Sequence, residues 1–173
     1  SIISTCGFFT EDYVLWPAFA QMVLVLLMFC GSCSSSTGGG IKCARILILL
    51  RAARREIRRI AHPRAVEVIK MDGKVVESDT LRLVLVFLGC YMLILLLCGL
   101  VLSLDGYEFS VSFSSALACL SNVGPGLEMV GPTGNFSSFS PLSKVVMSLC
   151  MVTGRLEIFP ILVLFSRAVW RNT

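Results

Sequence analysis

At 173 residues, 55% hydrophobic and with a mean hydropathy of +0.83, the chain is too apolar for an ordinary soluble domain. Its 15% of charged residues is too high for a bundle lying wholly in lipid, so it reads as an all-α integral membrane protein with polar loops. The net charge of +4 matters through its placement, because basic residues crowd between the first and second long apolar segments.

The sequence does not begin with Met, and residues 1–10 lack the basic, apolar, small-residue order of a signal peptide. A fragment with its N-terminal part absent is therefore expected. Eight cysteines lie along the apolar segments without the spacing of a disulfide framework, and read as buried free thiols. Cys30-Gly31-Ser32-Cys33 lacks the strand of a redox motif. It also lacks the following aromatic and the downstream His of a papain-like site, since Ser34 follows and the only His is His62, in a basic segment.

Residues 1–13 are polar and aromatic, with Ser4-Thr5-Cys6-Gly7-Phe8 followed by the acidic pair Glu11 and Asp12. Tyr13 and Trp16 stand where interfacial aromatics sit. The apolar stretch 16–50 exceeds the roughly 20 residues that cross a hydrocarbon core of about 30 Å. It is interrupted by Cys30-Gly31-Ser32-Cys33-Ser34-Ser35-Ser36-Thr37-Gly38-Gly39-Gly40-Ile41-Lys42. Glycine costs about 1 kcal/mol against alanine in a helix and serine diverts to local backbone groups, so the helix is expected to break here. Inside a bilayer a break needs neighbouring protein or a water-filled cavity to satisfy the freed backbone groups, which makes it a pointer to a permeation or binding pathway. Three adjacent glycines do not share one helix face, against a close-packing role, and a phosphate loop would need Gly-Lys-Ser/Thr after a strand.

Residues 51–64 carry Arg51, Arg54, Arg55, Arg58, Arg59 and Arg64, with Ala53, Ile57, Ile60 and Ala61 at helical spacing. They predict a basic helix in the cytosol, touching anionic headgroups or a cytosolic partner, and ending at Pro63. Residues 66–76 are rich in β-branched side chains around Asp72-Gly73, which predicts a small cytosolic β-hairpin. The run 81–104 is the cleanest transmembrane helix. After an acidic turn at 105–109, the stretch 111–120 is too short to cross and too apolar for a free loop, and so fits a re-entrant half-helix. It runs into Ser121-Asn122-Val123-Gly124-Pro125-Gly126 and a Gly/Ser/Pro-rich stretch to residue 140. The last span, 141–168, is apolar except for Lys144, Arg155 and Glu157, with Arg167 and Arg171 at its far end. Arg155 and Glu157, two apart, point to different sides of a helix and are expected to have separate partners. An intramembrane charge facing a cavity is a functional candidate.

By the positive-inside rule, the basic segments 51–80 and the C-terminus are cytoplasmic, and the turns around Gly7 and Gly124 lie toward the outside. From residue 81 the order is span, half-helix, glycine-containing turn, span, and residues 5–50 repeat its back half. This is the pore-loop plan of cation channels. The half-helix points its partially negative C-terminal end at a cation, and the turn after it offers backbone carbonyls in place of hydration water.

Thr5-Cys6-Gly7-Phe8, Ser36-Thr37-Gly38-Gly39-Gly40-Ile41-Lys42, Asn122-Val123-Gly124-Pro125-Gly126 and Gly154-Arg155-Leu156-Glu157-Ile158 together resemble the Trk/Ktr/HKT potassium-transporter superfamily, specifically its bacterial TrkH-type subunits. Members hold four span–loop–span repeats around one pore. The resemblance implies that residues 1–13 are the filter turn and outer loop of a third repeat, and 14–50 an interrupted transmembrane helix with a gating loop at 31–40. Residues 51–80 become a cytosolic basic helix and hairpin, and 81–173 the fourth repeat.

Gly7 and Gly124 then match the filter glycines, and backbone carbonyls of Thr5, Cys6, Gly7, Asn122, Val123 and Gly124 would face potassium, the transported ion. Cys6 stands where the family usually has Thr. Gly31, Ser34, Ser35, Ser36, Thr37, Gly38, Gly39 and Gly40 match the intramembrane gating loop, and Arg155 matches an arginine facing it, a gate latch. The resemblance further implies potassium uptake across the bacterial inner membrane, by passive conduction or symport, and a multi-pass homodimer in membrane lipid. A cytosolic nucleotide-binding regulatory subunit of the TrkA type is implied as partner, with residues 51–64 and the hairpin as candidates for meeting it. No enzyme activity and no nucleic-acid partner are expected. The alternatives are a non-conducting structural or regulatory membrane fragment, a sodium or mixed cation transporter of the same family, and, more weakly, a membrane enzyme using Arg155 and Glu157. Asn135-Phe136-Ser137 is a formal glycosylation sequon, incidental in a bacterium.

Overall fold

The structure, a computed structural model, describes residues 1–33, 36, 38–62, 70–71, 74–76, 78–158, 160–161 and 163. Ser34, Ser35 and Thr37, the Asp72-Gly73 turn, and the basic residues Arg64, Arg167 and Arg171 lie outside them. Among the described residues the fold is helical: α1 Ala18–Cys30, α2 Cys43–Ala61, α3 Ser78–Ser103, α4 Phe109–Leu120 and α5 Pro141–Arg155. Short 3₁₀ turns occur at Tyr13–Leu15 and Glu128–Val130. Two-residue strands, β1 Lys70–Met71 and β2 Lys74–Val75, pair antiparallel, Lys70 opposite Val75 and Met71 opposite Lys74.

The core is built around α4, which packs against α1, α3, α5 and the Glu128–Val130 turn. Every residue from 114 to 120 is buried. A helix buried on all sides can afford no long or charged side chain, and α4 has none, consisting of small, apolar and hydroxyl residues. Two of its hydroxyls turn back onto its own backbone, Ser114 Oγ and Ser115 Oγ both donating to Val111 O, at 3.3 and 2.6 Å.

Helix α3 presents Val84, Phe87, Tyr91, Leu95, Cys98 and Leu102 to the core, at the three-and-four spacing of one helical stripe. Its other faces expose leucines, among them Leu85, Leu93, Leu96, Leu97 and Leu100. An apolar exterior of this kind suits lipid rather than water. Of the described helices α3 alone is long and apolar enough to cross a membrane, while α1 and α4 are apolar but shorter.

Two departures from simple spans shape the interior. The long apolar stretch 16–50 is divided between α1 and α2 by the non-helical residues 31–42. The last segment, expected as one span over 141–168, stops as α5 at Arg155. Glu157 and Ile158 both take φ of 59°, and helix is next described at residues 160–161. Pro160 accounts for the break, because in a continuing helix its ring would clash with the carbonyl of Leu156 and it has no N–H to donate, while it fits the first turn of a new helix. Helix α5 opens on Ser140, whose Oγ accepts from Ser143 N at 3.2 Å, with Pro141 next in sequence. Asp105 Oδ2 accepts from Ser140 N at 3.1 Å and ties that start to the turn after α3.

Candidate functional site

The turns around Gly7 and Gly124 share one backbone. Asn122 N donates to Cys119 O (3.2 Å) and Val123 N to Ala118 O (3.0 Å), the paired bonds that close a helix through a left-handed residue. Thr5 N donates to Ile2 O (3.1 Å) and Cys6 N to Ser1 O (3.0 Å), the same pattern at the same relative positions. Thr5 and Asn122 each have φ of 55°, and Gly7 and Gly124 follow at 74° and 101°. Asn tolerates left-handed backbone, whereas a β-branched Thr there is an outlier that its surroundings must hold.

The two turns also meet. A Cβ on Gly7 would lie 2.5 Å from Val123 O and 3.3 Å from the Pro125 ring, so only glycine fits against the neighbouring main chain. Tyr13 Oη donates to Gly126 O (3.0 Å), a buried bond joining the N-terminal segment to the residues that follow the second turn. Burial, and then the Asp12 charge, push the Tyr13 phenol up to about 12, so it remains a neutral donor.

The glycine loop seats directly against both turns. A Cβ on Gly38 would reach Thr5 Oγ1 (2.9 Å) and the Ser32 hydroxyl; one on Gly39 would run into Ser121 O. Gly31, at φ 62°, lies against Gly39 O, and Gly40 has φ 81°. Ile41 N donates to Phe29 O (3.1 Å) and Cys43 N to Ser32 O (3.2 Å), so the loop leaves close to where it entered. Gly31, Gly38, Gly39 and Gly40 are buried, and Ser36 Oγ accepts from Gly38 N at 3.2 Å. On the far side, Gly154 of α5 touches Leu120 O, and Asn122 Nδ2 donates to Met151 O (3.0 Å), clamping the second turn to α5.

Arg155 is the last residue of α5 and is exposed. The charged contact at the loop's exit is made by Glu157, whose carboxylate accepts from Lys42 Nζ and from Arg45 Nη2 (2.8 Å). Lys42 is 6% exposed and sits at φ 69°, the last residue before α2, and the Arg45 guanidinium stacks over Phe87 at 4.0 Å. Sequence reasoning gave Glu157 its own partner but did not find it. The signal was present: two basic residues three apart inside an apolar segment need an acid, and Glu157 is the only acid after residue 128.

A family model described as TrkH, cation transport protein, matches residues 1–171. The chain is 38% identical over 172 residues to the Trk system potassium uptake protein TrkH of Escherichia coli K12, covering 99% of this chain and 35% of that protein. It is 36% identical to the Trk system potassium uptake protein TrkI of Halomonas elongata, with the same coverage. Its fold matches the crystal structure of the potassium transporter TrkH from Vibrio parahaemolyticus with a TM-score of 0.88 at 38% identity, over 98% of this chain and 36% of that one. The chain thus spans about a third of the length of the relatives it matches. With a family match over nearly every residue, the chain belongs to the TrkH family of cation transport proteins, a family of transporters rather than enzymes.

Proposed function

We propose that the chain is the C-terminal part of a potassium uptake protein of a bacterial inner membrane, contributing the end of a third pore-loop repeat and all of a fourth. One observation carries this reading: two turns of identical hydrogen bonding and handedness abut one another with a buried glycine loop packed against both. Backbone carbonyls of Thr5, Cys6, Gly7, Asn122, Val123 and Gly124 would replace the hydration shell of potassium as the substrate passes. The C-terminal end of α4, aimed into the second turn, adds partial negative charge. Gly31, Ser34, Ser35, Ser36, Thr37, Gly38, Gly39 and Gly40 act as the gate beneath, with Arg155 as its latch and Glu157 holding its exit through Lys42 and Arg45. Segment 51–80 with its hairpin and the C-terminus lie in the cytoplasm, where a TrkA-type nucleotide-binding subunit would act on a homodimer.

The test is potassium-competed rubidium flux into liposomes bearing the full-length protein. Flux above empty vesicles, lowered by Gly124→Ala and raised at rest by deleting Gly38, Gly39 and Gly40 or by Arg155→Ala, is expected. Flux no greater than in empty vesicles would overturn the transport reading; unchanged resting flux in both gate variants would reduce the loop to packing.

A further inference from the structure

Helix α2 continues unbroken from the loop's exit through a second half whose two faces differ sharply. At 3.6 residues per turn, Arg51, Arg54, Arg55, Arg58 and Arg59 fall on one arc, and Leu50, Ala53, Ile57 and Ile60 on the opposite one. The apolar stripe does not end where the arginines begin: Ile57 is 67% and Ile60 83% exposed. Five arginines stand against one acid along this stretch, Glu56, which is paired with Arg55 (2.9 Å) and Arg59 (3.8 Å), so the stretch is basic in sum.

From this amphipathic arrangement we propose that the second half of α2 is a docking surface for anionic phospholipid headgroups. The arginines bind lipid phosphates, and Ile57 and Ile60 enter the acyl boundary beneath them. Guanidinium groups match phosphate oxygens with paired hydrogen bonds, and the planar charge is lightly hydrated, which favours this pairing at a membrane surface. Isoleucines on the other face of a basic helix are what separates an interfacial helix from one merely solvated in the cytosol. The inference rests on the membrane reading above. It adds a consequence: a lipid held at Arg54, Arg55 and Arg59 fixes the same helix whose start, Arg45 and the preceding Lys42, is paired with Glu157.

Native mass spectrometry of the full-length protein, equilibrated with equal phosphatidylglycerol and phosphatidylcholine, tests it. The parent is expected to retain phosphatidylglycerol preferentially, and the triple variant Arg54→Gln, Arg55→Gln, Arg59→Gln to lose that preference by about tenfold or more, since each basic residue at an anionic surface contributes severalfold. The corresponding triple Lys variant should keep much of it. Equal retention by parent and Gln variant overturns the proposal. So does a change in oligomeric state in Ile57→Gln, Ile60→Gln with phosphatidylglycerol retention intact, which would make this face an interface between copies. Rubidium flux on the same preparations separates the two readings: normal flux with unaltered lipid retention defeats this inference and leaves transport standing.

Discussion

The turn at residues 5–7 and the turn at residues 122–124 have one backbone and two kinds of support. The second is held by tertiary structure: Val123 is buried, Asn122 reaches Met151 O, Gly154 admits the end of α4, and Ser121 is bonded to the Tyr91 hydroxyl at 2.8 Å. The first leans on local bonds, Ser4 Oγ donating to Ser1 O and to Cys6 Sγ, with Tyr13 and the glycine loop as its distant props. Identical main-chain geometry therefore does not require identical side chains or surroundings. It requires that each left-handed residue be paid for by something nearby.

The largest effect in breaking this comparison is expected from Gly154→Ala. The new Cβ meets the Leu120 carbonyl, a main-chain atom that cannot swing aside, so overpacking should cost about 1–3 kcal/mol or more. A thermal melt of the purified full-length protein, read with rubidium flux, should show both falling. A variant as stable as its parent would mean that α5 does not clamp the second turn.

Asn122→Ala comes next. It removes the bond to Met151 O and puts a poorer left-handed residue at φ 55°, for a loss of about 1–2 kcal/mol. The matching change Thr5→Asn should go the other way, gaining about 0.5–1 kcal/mol by relieving a β-branched residue at the same φ. If the two substitutions move the melting temperature in the same direction, the two turns are not equivalent. Tyr13→Phe deletes the link from the N-terminal segment to Gly126 while keeping its ring contact with Trp16, and should cost about 1 kcal/mol in the same measurement.

The smallest effect concerns only the part of the chain that carries the second turn. Hydrogen bonds from the Ser140 amide first, and then from the Ser143 and Ser140 hydroxyls, hold the Asp105 carboxyl below its ordinary range. A folded-state value below the unfolded one means that this support is fully present above the ordinary carboxylate range. It is lost as pH falls through the lowered value. Melting temperature should drop at acid pH less steeply in Asp105→Asn than in the parent; parallel curves would show that the tie between α3 and α5 is not ionic.

The helical class, the glycine-rich interruption and the short helix before Gly124 were all legible in the sequence, because each depends on local composition and length. The kinship of the two turns was legible only through their glycines, since Thr5-Cys6 and Asn122-Val123 share no side-chain chemistry. What they share is hydrogen bonding and φ, which many side chains allow. The pairing of Lys42 and Arg45 with Glu157 spans more than 110 positions and is fixed by packing alone, so the eye falls instead on Arg155, whose neighbours in sequence carry the family pattern. The stop at Arg155 had a local cause, Pro160, hidden within an otherwise apolar run.

The close approach of Gly7 to Val123 O has a bearing on how such a protein can diverge. Where two turns touch main chain to main chain, the distance between them is a property of peptide geometry, not of side-chain identity. Positions such as Cys6 can then drift in evolution without retuning that gap, while any exchange of Gly7 must alter it. Ion specificity built on such a contact would be inherited more faithfully than the loops and attachments around it.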